Sequence, residues 1–222
     1  MIVAAYPATK NCELVYEEKK HLVLGISPFN SYFSVERISV LSHWAINNFE
    51  SFSLFVPDQP VVYTLMALGY DEPKAIKKAR KQTDFLKTRC LKSLLDINIS
   101  EKEAEGIMLD FNYLNANESY RQALKYYEDK YTSDSDFQKN CLETSEQVIK
   151  NKVEDISRSS LEIAVKYLLA EMPLFFNSAG ILNKKSAMFC YKDCAPFIKV
   201  CFEQKSGFVP DHQGYLIIDT GC

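Results

Sequence analysis

Glycine and proline are scarce in this chain of 222 residues, at 7 and 8, which excludes a collagen-like or linker-rich sequence. Tryptophan occurs once, but 14 Phe and 13 Tyr supply material for a dense interior. With 47% hydrophobic and 25% charged residues, the chain can bury a sizeable core and is not of the disordered class. Long apolar runs are missing: Leu22 to Ile26 and Tyr167 to Met172 fall far short of the roughly 18 to 20 residues that a bilayer-spanning helix needs. The opening Met1-Ile-Val-Ala-Ala-Tyr6-Pro7 has no basic stretch followed by a long apolar one. No signal peptide is read there, and the expectation is a cytoplasmic protein forming one domain over residues 1–222.

Other absences concern chemistry. The seven cysteines (12, 90, 141, 190, 194, 201 and 222) are odd in number and scattered, so free thiols are expected. Cys190, Cys194 and Cys201 lack CxxC spacing, and His21, His43 and His212 lie elsewhere. A zinc site is therefore disfavoured against small buried hydrophobes on neighbouring strands, and no metal is expected. No P-loop or dinucleotide fingerprint of glycines is present, which argues against a nucleoside triphosphate or NAD site.

What is present alternates. Leu22 to Ile26 has the continuous apolar character of a strand buried on both faces, and Phe52, Leu54 and Val56 alternate in a second strand. Ser34 can cap a helix carrying Ile38, Leu41, Ala45 and Phe49, while Pro60 and Gly69 bracket a helix over Val61 to Leu68. Further spacing predicts a strand at Ile107 to Phe111, helices at 117–130, 134–152 and 160–175, and strands at 186–192, 197–202 and 215–218. This order predicts an α/β fold around a mostly parallel sheet flanked by helices.

Three features carry function. The first is the hydroxyl-rich turn Gly25-Ile-Ser27-Pro-Phe-Asn30-Ser-Tyr-Phe-Ser34 at the end of an apolar strand, where such sheets place their sites. Phe29 stands where a hydrolase nucleophile elbow has its second glycine, and no later histidine has an evident triad role, so a serine hydrolase fits poorly. On local pattern alone Ser27 serves equally as a turn former or as a nucleophile. The second feature is the apolar helix 160–175, in which Tyr167 and Glu171 share a face at i,i+4. A carboxylate in such surroundings needs a cation or a donor, either a ligand's ammonium group or a structural lysine or backbone group. Pro173 ends or kinks this helix. The third feature is charge. Residues 74–92 hold Lys74, Lys77, Lys78, Arg80, Lys81, Lys87, Arg89 and Lys92 against Asp84 alone, a local +7 in a chain of net −3. Asp71, Glu72 and Pro73 favour a helix start, and Ile76, Ala79, Leu86, Cys90 and Leu94 form a stripe that can dock on the body. The other face is basic over about 30 Å at 1.5 Å per residue and suits a polyanion such as nucleic acid as well as it suits solvent.

Together, the serine turn, the basic helix, the segment Tyr167-Leu-Leu-Ala-Glu171-Met-Pro173 and Phe189-Cys-Tyr191 resemble the cyclodipeptide synthases from about Leu22 to Ile218. The resemblance implies a Rossmann-like domain similar to the catalytic domain of class I tyrosyl- and tryptophanyl-tRNA synthetases, without an ATP site or any cofactor. It also implies an enzyme that uses two aminoacyl-tRNAs, holding the first aminoacyl group on a serine before joining it to the second as a diketopiperazine. By the same resemblance Ser27 is the nucleophile, Tyr167 and Glu171 hold the α-ammonium, Tyr191 assists the reacting carbonyl and Asn30 places the turn. The Asn30 and Tyr191 pair assigns the chain to the Asn/Tyr-type subfamily, with Lys192 departing from the usual Gln or His. The first aminoacyl pocket is expected from Val23, Gly25, Phe55, Pro57, Leu174 and Phe189, the second from Thr144, Asn151 and Lys152. That second set is more polar and points to a polar or acidic second residue, although Lys152 reads as solvent-facing. Lys77, Lys78, Lys81, Lys87, Arg89 and Lys92 are expected to meet the tRNA acceptor arm. A monomer with no membrane partner is expected, and a non-catalytic tRNA-binding module of the same fold is the alternative.

Overall fold

The computed structural model describes residues 3–150, 156–204 and 206–221. In chain order it contains β1 (Ala4–Pro7), α1 (Lys10–Glu18), β2 (His21–Gly25), α2 (Val35–Asn48), β3 (Ser51–Phe55), α3 (Val61–Ala67), α4 (Glu72–Leu95) and α5 (Glu101–Ile107). There follow β4 (Met108–Leu109), α6 (Phe111–Ala116), α7 (Glu118–Ser133), α8 (Ser135–Ile149), α9 (Arg158–Ile181), β5 (Ala187–Tyr191), α10 (Pro196–Glu203) and β6 (Gln213–Asp219). The six strands form one sheet in the order β1-β6-β5-β2-β3-β4. All neighbours run parallel except β1, which pairs antiparallel with β6.

The centre of the sheet explains its sequence. All five residues of β2 are buried, as are the first four of β5, because helices cover both faces of a parallel sheet. From β2 the chain passes through α2 to β3 on one side, whereas β5 leads through α10 to β6 on the other. The order therefore reverses between β2 and β5, and a crevice opens at the carboxyl ends of those two strands.

Helix ends follow their caps. Ser34 accepts from the Arg37 amide at 3.2 Å, Asp71 from the Lys74 amide at 3.0 Å, and Ser157 from the Ser160 amide at 3.1 Å, each satisfying a first-turn donor. Helix α4 packs against α2 and α3 through Ala75, Ala79, Thr83, Leu86, Cys90 and Leu94. Ile76, expected in that stripe, is 49% exposed. The seam follows the 75-79-83 row, one position earlier.

Several predicted boundaries shift. Residues 197–202, read as a strand, belong to α10. Pro196 sits in its first turn and Ile198, Cys201 and Phe202 repeat at i, i+3 and i+4 on its buried side. The predicted strand at 107–111 contracts to the two residues of β4, between the ends of α5 and α6. Helix α9 continues beyond Pro173 to Ile181, and its non-helical residue is Asn177 rather than the proline. The continuing apolar run Leu174 to Phe176 keeps that stretch packed against the sheet. Helix α8 ends at Ile149, short of the predicted 152, and residues 151 and 152 lie outside the described residues.

The six described cysteines are free thiols. Cys190 is on β5, Cys201 is on α10 and Cys194 lies in the loop between them, so they are not on neighbouring strands. No group of three or more His, Cys, Asp or Glu among the described residues is arranged to hold a metal ion. No helix among the described residues is long and apolar enough to cross a membrane.

Candidate active site

Strand β2 ends at Gly25, and the Ile26 amide still bonds the Phe55 carbonyl of β3 at 2.9 Å. Ser27 is therefore the first residue released from the sheet, at the crevice between β2 and β5. Its hydroxyl donates to the Pro28 carbonyl at 3.3 Å. Phe29 then takes a left-handed backbone with φ of 58°, a conformation that costs a side-chain-bearing residue about 1 kcal/mol. Asn30 holds this turn from both sides: its Oδ1 accepts from the Tyr32 amide at 3.0 Å and its Nδ2 donates to the Tyr191 hydroxyl at 3.5 Å. Tyr191, last residue of β5, is braced in turn by the Phe33 ring at 5.8 Å. Burial raises its phenol above the ordinary tyrosine value, while the Ser27 hydroxyl and the Asn30 amide act in the opposite sense.

Behind Ser27 lies a cavity of about 160 Å³ lined by Gly25, Phe55, Phe175, Phe189 and Tyr215, with Tyr167, Glu171 and Tyr191 as its polar groups. Gly25 makes room for it, because a Cβ there would stand 2.9 Å from Phe189 Cζ. Tyr167 donates a hydrogen bond to the Glu171 carboxylate, and burial raises the Glu171 pKa from 4.5 to about 7 against that stabilising bond. Among the described residues no lysine or arginine forms an ion pair with Glu171. The structural pairing left open by the sequence is thus realised with a phenol and not with a cation. A second cavity of about 60 Å³, lined by Thr64, Thr144, Val148, Ile149 and Ala164, meets the first at Tyr167 and Glu171.

The structure brings together Ser27, Asn30, Tyr167, Glu171 and Tyr191, and it places Gly25, Phe55 and Phe189 on the cavity wall. It does not bring Val23, Pro57 or Leu174 to that wall. Val23 is fully buried two residues deeper on β2, in register with Phe189, whose ring closes over Gly25. Leu174 is buried in the core, and Phe175 lines the cavity in its place. The Pro57 carbonyl instead accepts from the Thr83 hydroxyl of α4 at 3.4 Å. Thr144 lines the second cavity, but its hydroxyl donates to the Asn140 carbonyl at 2.8 Å. Asn151 and Lys152 lie outside the described residues.

Ile26, Val148, Phe175 and Tyr215 also line the cavity, outside the set expected from the sequence. For Phe175 a signal existed, since 167, 171 and 175 continue one i,i+4 row of α9.

A slightly smaller groove of about 140 Å³ on the other side of Ser27 separates the serine turn from α4 and includes Gln82, Phe85 and Arg89. Along α4, Lys77, Lys78, Lys81, Arg89 and Lys92 are exposed. Lys78 donates to the Tyr70 hydroxyl at 3.1 Å. Lys87 differs: its ammonium is 2.6 Å from the Asp110 carboxylate, in a partly buried pair. Lys192 pairs with Asp193.

No histidine lines the cavity among the described residues. His21 sits at the opposite end of β2, bonded to Ser51 at 2.8 Å, with its pKa lowered to about 4, mainly by burial. A hydrolase triad on Ser27 has no base in this arrangement.

The chain matches the family described as cyclodipeptide synthase over residues 3–220. It is 31% identical over 219 residues to a cyclo(L-leucyl-L-leucyl) synthase of Staphylococcus haemolyticus, covering 95% of this chain and 92% of the relative. A solved structure of a cyclodipeptide synthase from Staphylococcus haemolyticus superposes with a TM-score of 0.90 at 29% identity over all of both chains. A Mycobacterium tuberculosis protein whose structure relates cyclodipeptide synthetases to type I tRNA synthetases superposes with a TM-score of 0.86 at 24% identity, over 97% of this chain and 92% of that one. That likeness carries the fold, an α/β domain around a mostly parallel sheet. The chain belongs to the cyclodipeptide synthase family.

Proposed function

We propose that this chain forms a cyclodipeptide from two aminoacyl-tRNAs, with Ser27 carrying the first aminoacyl group. One observation carries the reading: a carboxylate bonded to a phenol, with no lysine or arginine among the described residues paired to it, faces the same apolar cavity as the Ser27 turn. An α-ammonium supplies the missing charge, and its side chain fills the apolar remainder.

The chemistry then needs little more. The Ser27 Oγ bonds to the ester carbonyl carbon, the bond to the terminal ribose oxygen breaks, and the serine proton passes to that oxygen. Tyr191, touching both Ser27 and Asn30, remains a protonated donor near neutral pH and is positioned to assist that transfer. The α-amine of the second aminoacyl group attacks the serine ester and frees Ser27. The new dipeptide's amine closes the ring on the second ester, releasing the second tRNA. Both ester bonds are activated, so amide formation requires no ATP.

The first pocket is apolar and aromatic, which suits an uncharged side chain of leucine size, the class named for the Staphylococcus haemolyticus relative. Val148, Ile149, Ala164 and Leu168 line the second cavity together with Thr64, Thr144 and Ser145, and the Thr144 hydroxyl is already donated to the Asn140 carbonyl, which suits an apolar second residue. The exposed lysines and arginines of α4 supply phosphate contacts that add affinity without choosing the amino acid.

Mass spectrometry of supernatants from bacteria expressing the wild type and Ser27→Ala tests the reading. New diketopiperazine masses in the wild type alone, containing aliphatic residues, are expected. Equal products from Ser27→Ala would remove the serine intermediate, and soluble wild type with no product would favour a tRNA-binding module without catalysis.

A further inference from the structure

The groove between the serine turn and α4 lies outside the aminoacyl cavity, yet both share Ser27. Whatever group leaves when Ser27 is acylated must occupy space on the side of Ser27 away from the aminoacyl pocket. Its chemistry under the reading above is an adenosine joined through its 5′ side to phosphates.

The groove matches that chemistry in three respects. Phe29 and Phe85 are large aromatic side chains lining it, and they are 38% and 52% exposed, unusual for residues whose burial would contribute to the core. Phe29 holds its exposed position at the expense of a left-handed backbone. Lys81 and Arg89 stand one turn before and one turn after Phe85 on the same face of α4, with Lys81 5.7 Å from its ring centroid. An aromatic platform between two cations is the arrangement that stacks a base and tracks its phosphates. Gln82 and Asn30 add amide groups at the groove wall.

We propose that this groove binds the 3′-terminal adenosine of the donor aminoacyl-tRNA, with its base against Phe85 and Phe29 and its phosphate toward Arg89. The proposal rests on the function proposed above and adds a binding site for the leaving group. Phe29 and Phe85 are positioning residues: they place the ester bond over the Ser27 hydroxyl and take no part in bond exchange.

The test compares two esters of the same amino acid in a single-turnover acylation of Ser27. One is the aminoacyl-tRNA, whose leaving group is the adenosine. The other is an activated dinitrobenzyl ester, whose leaving group has no nucleoside. Phe85→Ala is expected to slow transfer from the tRNA ester by about tenfold and to leave transfer from the dinitrobenzyl ester near the wild-type rate, with Phe85→Trp restoring the tRNA reaction. Phe29→Asn, which retains a residue tolerant of the left-handed backbone, is expected to behave like Phe85→Ala. Unchanged transfer from the tRNA ester in both ring-removing variants overturns the proposal while leaving the cyclodipeptide reading intact. An equal slowing with both esters also overturns it, because the rings would then act on the serine turn alone. A wild type that is acylated by neither ester removes the parent reading and this one with it.

Discussion

Glu171 shows how far a single residue can be read. Its i,i+4 relation to Tyr167 is written in the sequence, and it fixes that the two share a helix face. Whether a lysine completes the pair depends on what packs opposite, and the structure supplies none among the described residues. The free carboxyl titrates at about 7, so below that pH it carries a proton and cannot offer charge to an α-ammonium. The kcat/KM for aminoacyl-tRNA is therefore expected to fall about tenfold per pH unit below 7. Glu171→Gln should lower kcat/KM at pH 7.5 by about 100-fold, through loss of a charged hydrogen bond, and flatten this acid limb. A retained limb in that variant would assign the titration to another group.

The same row extended to residue 175 would have placed Phe175 at the cavity. Choosing Leu174 instead moves the side chain by one helical step, about 100° around the axis. On a helix buried on nearly all sides, apolar identity gives no help in telling wall from core. Val23 lies off the wall for a related reason: it shares a sheet face with Gly25, but the depth at which the cavity floor closes is set by the ring of Phe189 on another strand.

At the scale of the element, α4 divides its charges. Its cap, its basic exposed face and its docked seam from Ala79 to Leu94 were legible, because each depends on local spacing, whereas Ile76 lies outside the seam, which starts at Ala75. That Lys87 belongs to the interior side was not, since Asp110 is its partner across 23 residues. Asp110 caps α6 by accepting from the Tyr113 amide at 2.9 Å, and buried Asp58 accepts from the Phe111 amide at 3.0 Å beside it. Lys87 thus offsets two carboxylates gathered at one helix start, and a glutamate there would make a third. Lys87→Glu is expected to lower stability by about 1 to 3 kcal/mol. Arg89→Glu and Lys92→Glu should change stability by less than about 0.5 kcal/mol while weakening tRNA binding with a shallower salt dependence. Urea titrations together with tRNA binding at two salt concentrations separate these roles; equal destabilisation by all three reversals would refute the division.

For the whole molecule, two buried groups at opposite ends of the sheet pull stability in opposite directions with pH. His21 has a folded pKa of about 4 against 6.5 when unfolded, so the unfolded chain binds its proton first and stability falls as pH drops from 6.5 toward 4. Glu171 has a folded pKa of about 7 against 4.5, so the folded chain binds its proton first and stability rises over nearly the same interval as pH drops. Each contribution is about 3 kcal/mol, and they nearly cancel between pH 4.5 and 6.5. Unfolding free energy by urea is expected to be nearly flat there for wild type with respect to these two groups. In Glu171→Gln only the histidine effect remains, giving a loss toward acid of about 3 kcal/mol. A wild-type curve no flatter than that of the variant would show that the two do not oppose each other.

By itself the sequence determined the elements whose cause is local: the apolar run of β2, the capped helices α2 and α4, the apolar middle of α9, the hydroxyl-rich turn after Gly25, and the concentration of positive charge on α4. Such features arise from backbone preference, capping and period, which need only a few neighbouring residues. The tertiary structure decided which strands lie side by side, that residues 197–202 coil as α10 against α1 and α8, and that Phe175 faces the cavity. It also brought Asn30 to Tyr191, 161 residues away in the chain. Only the pairing of β2 with β5 places those two together, and that pairing is fixed by the packing of both sheet faces at once, through contacts that no short window of sequence contains.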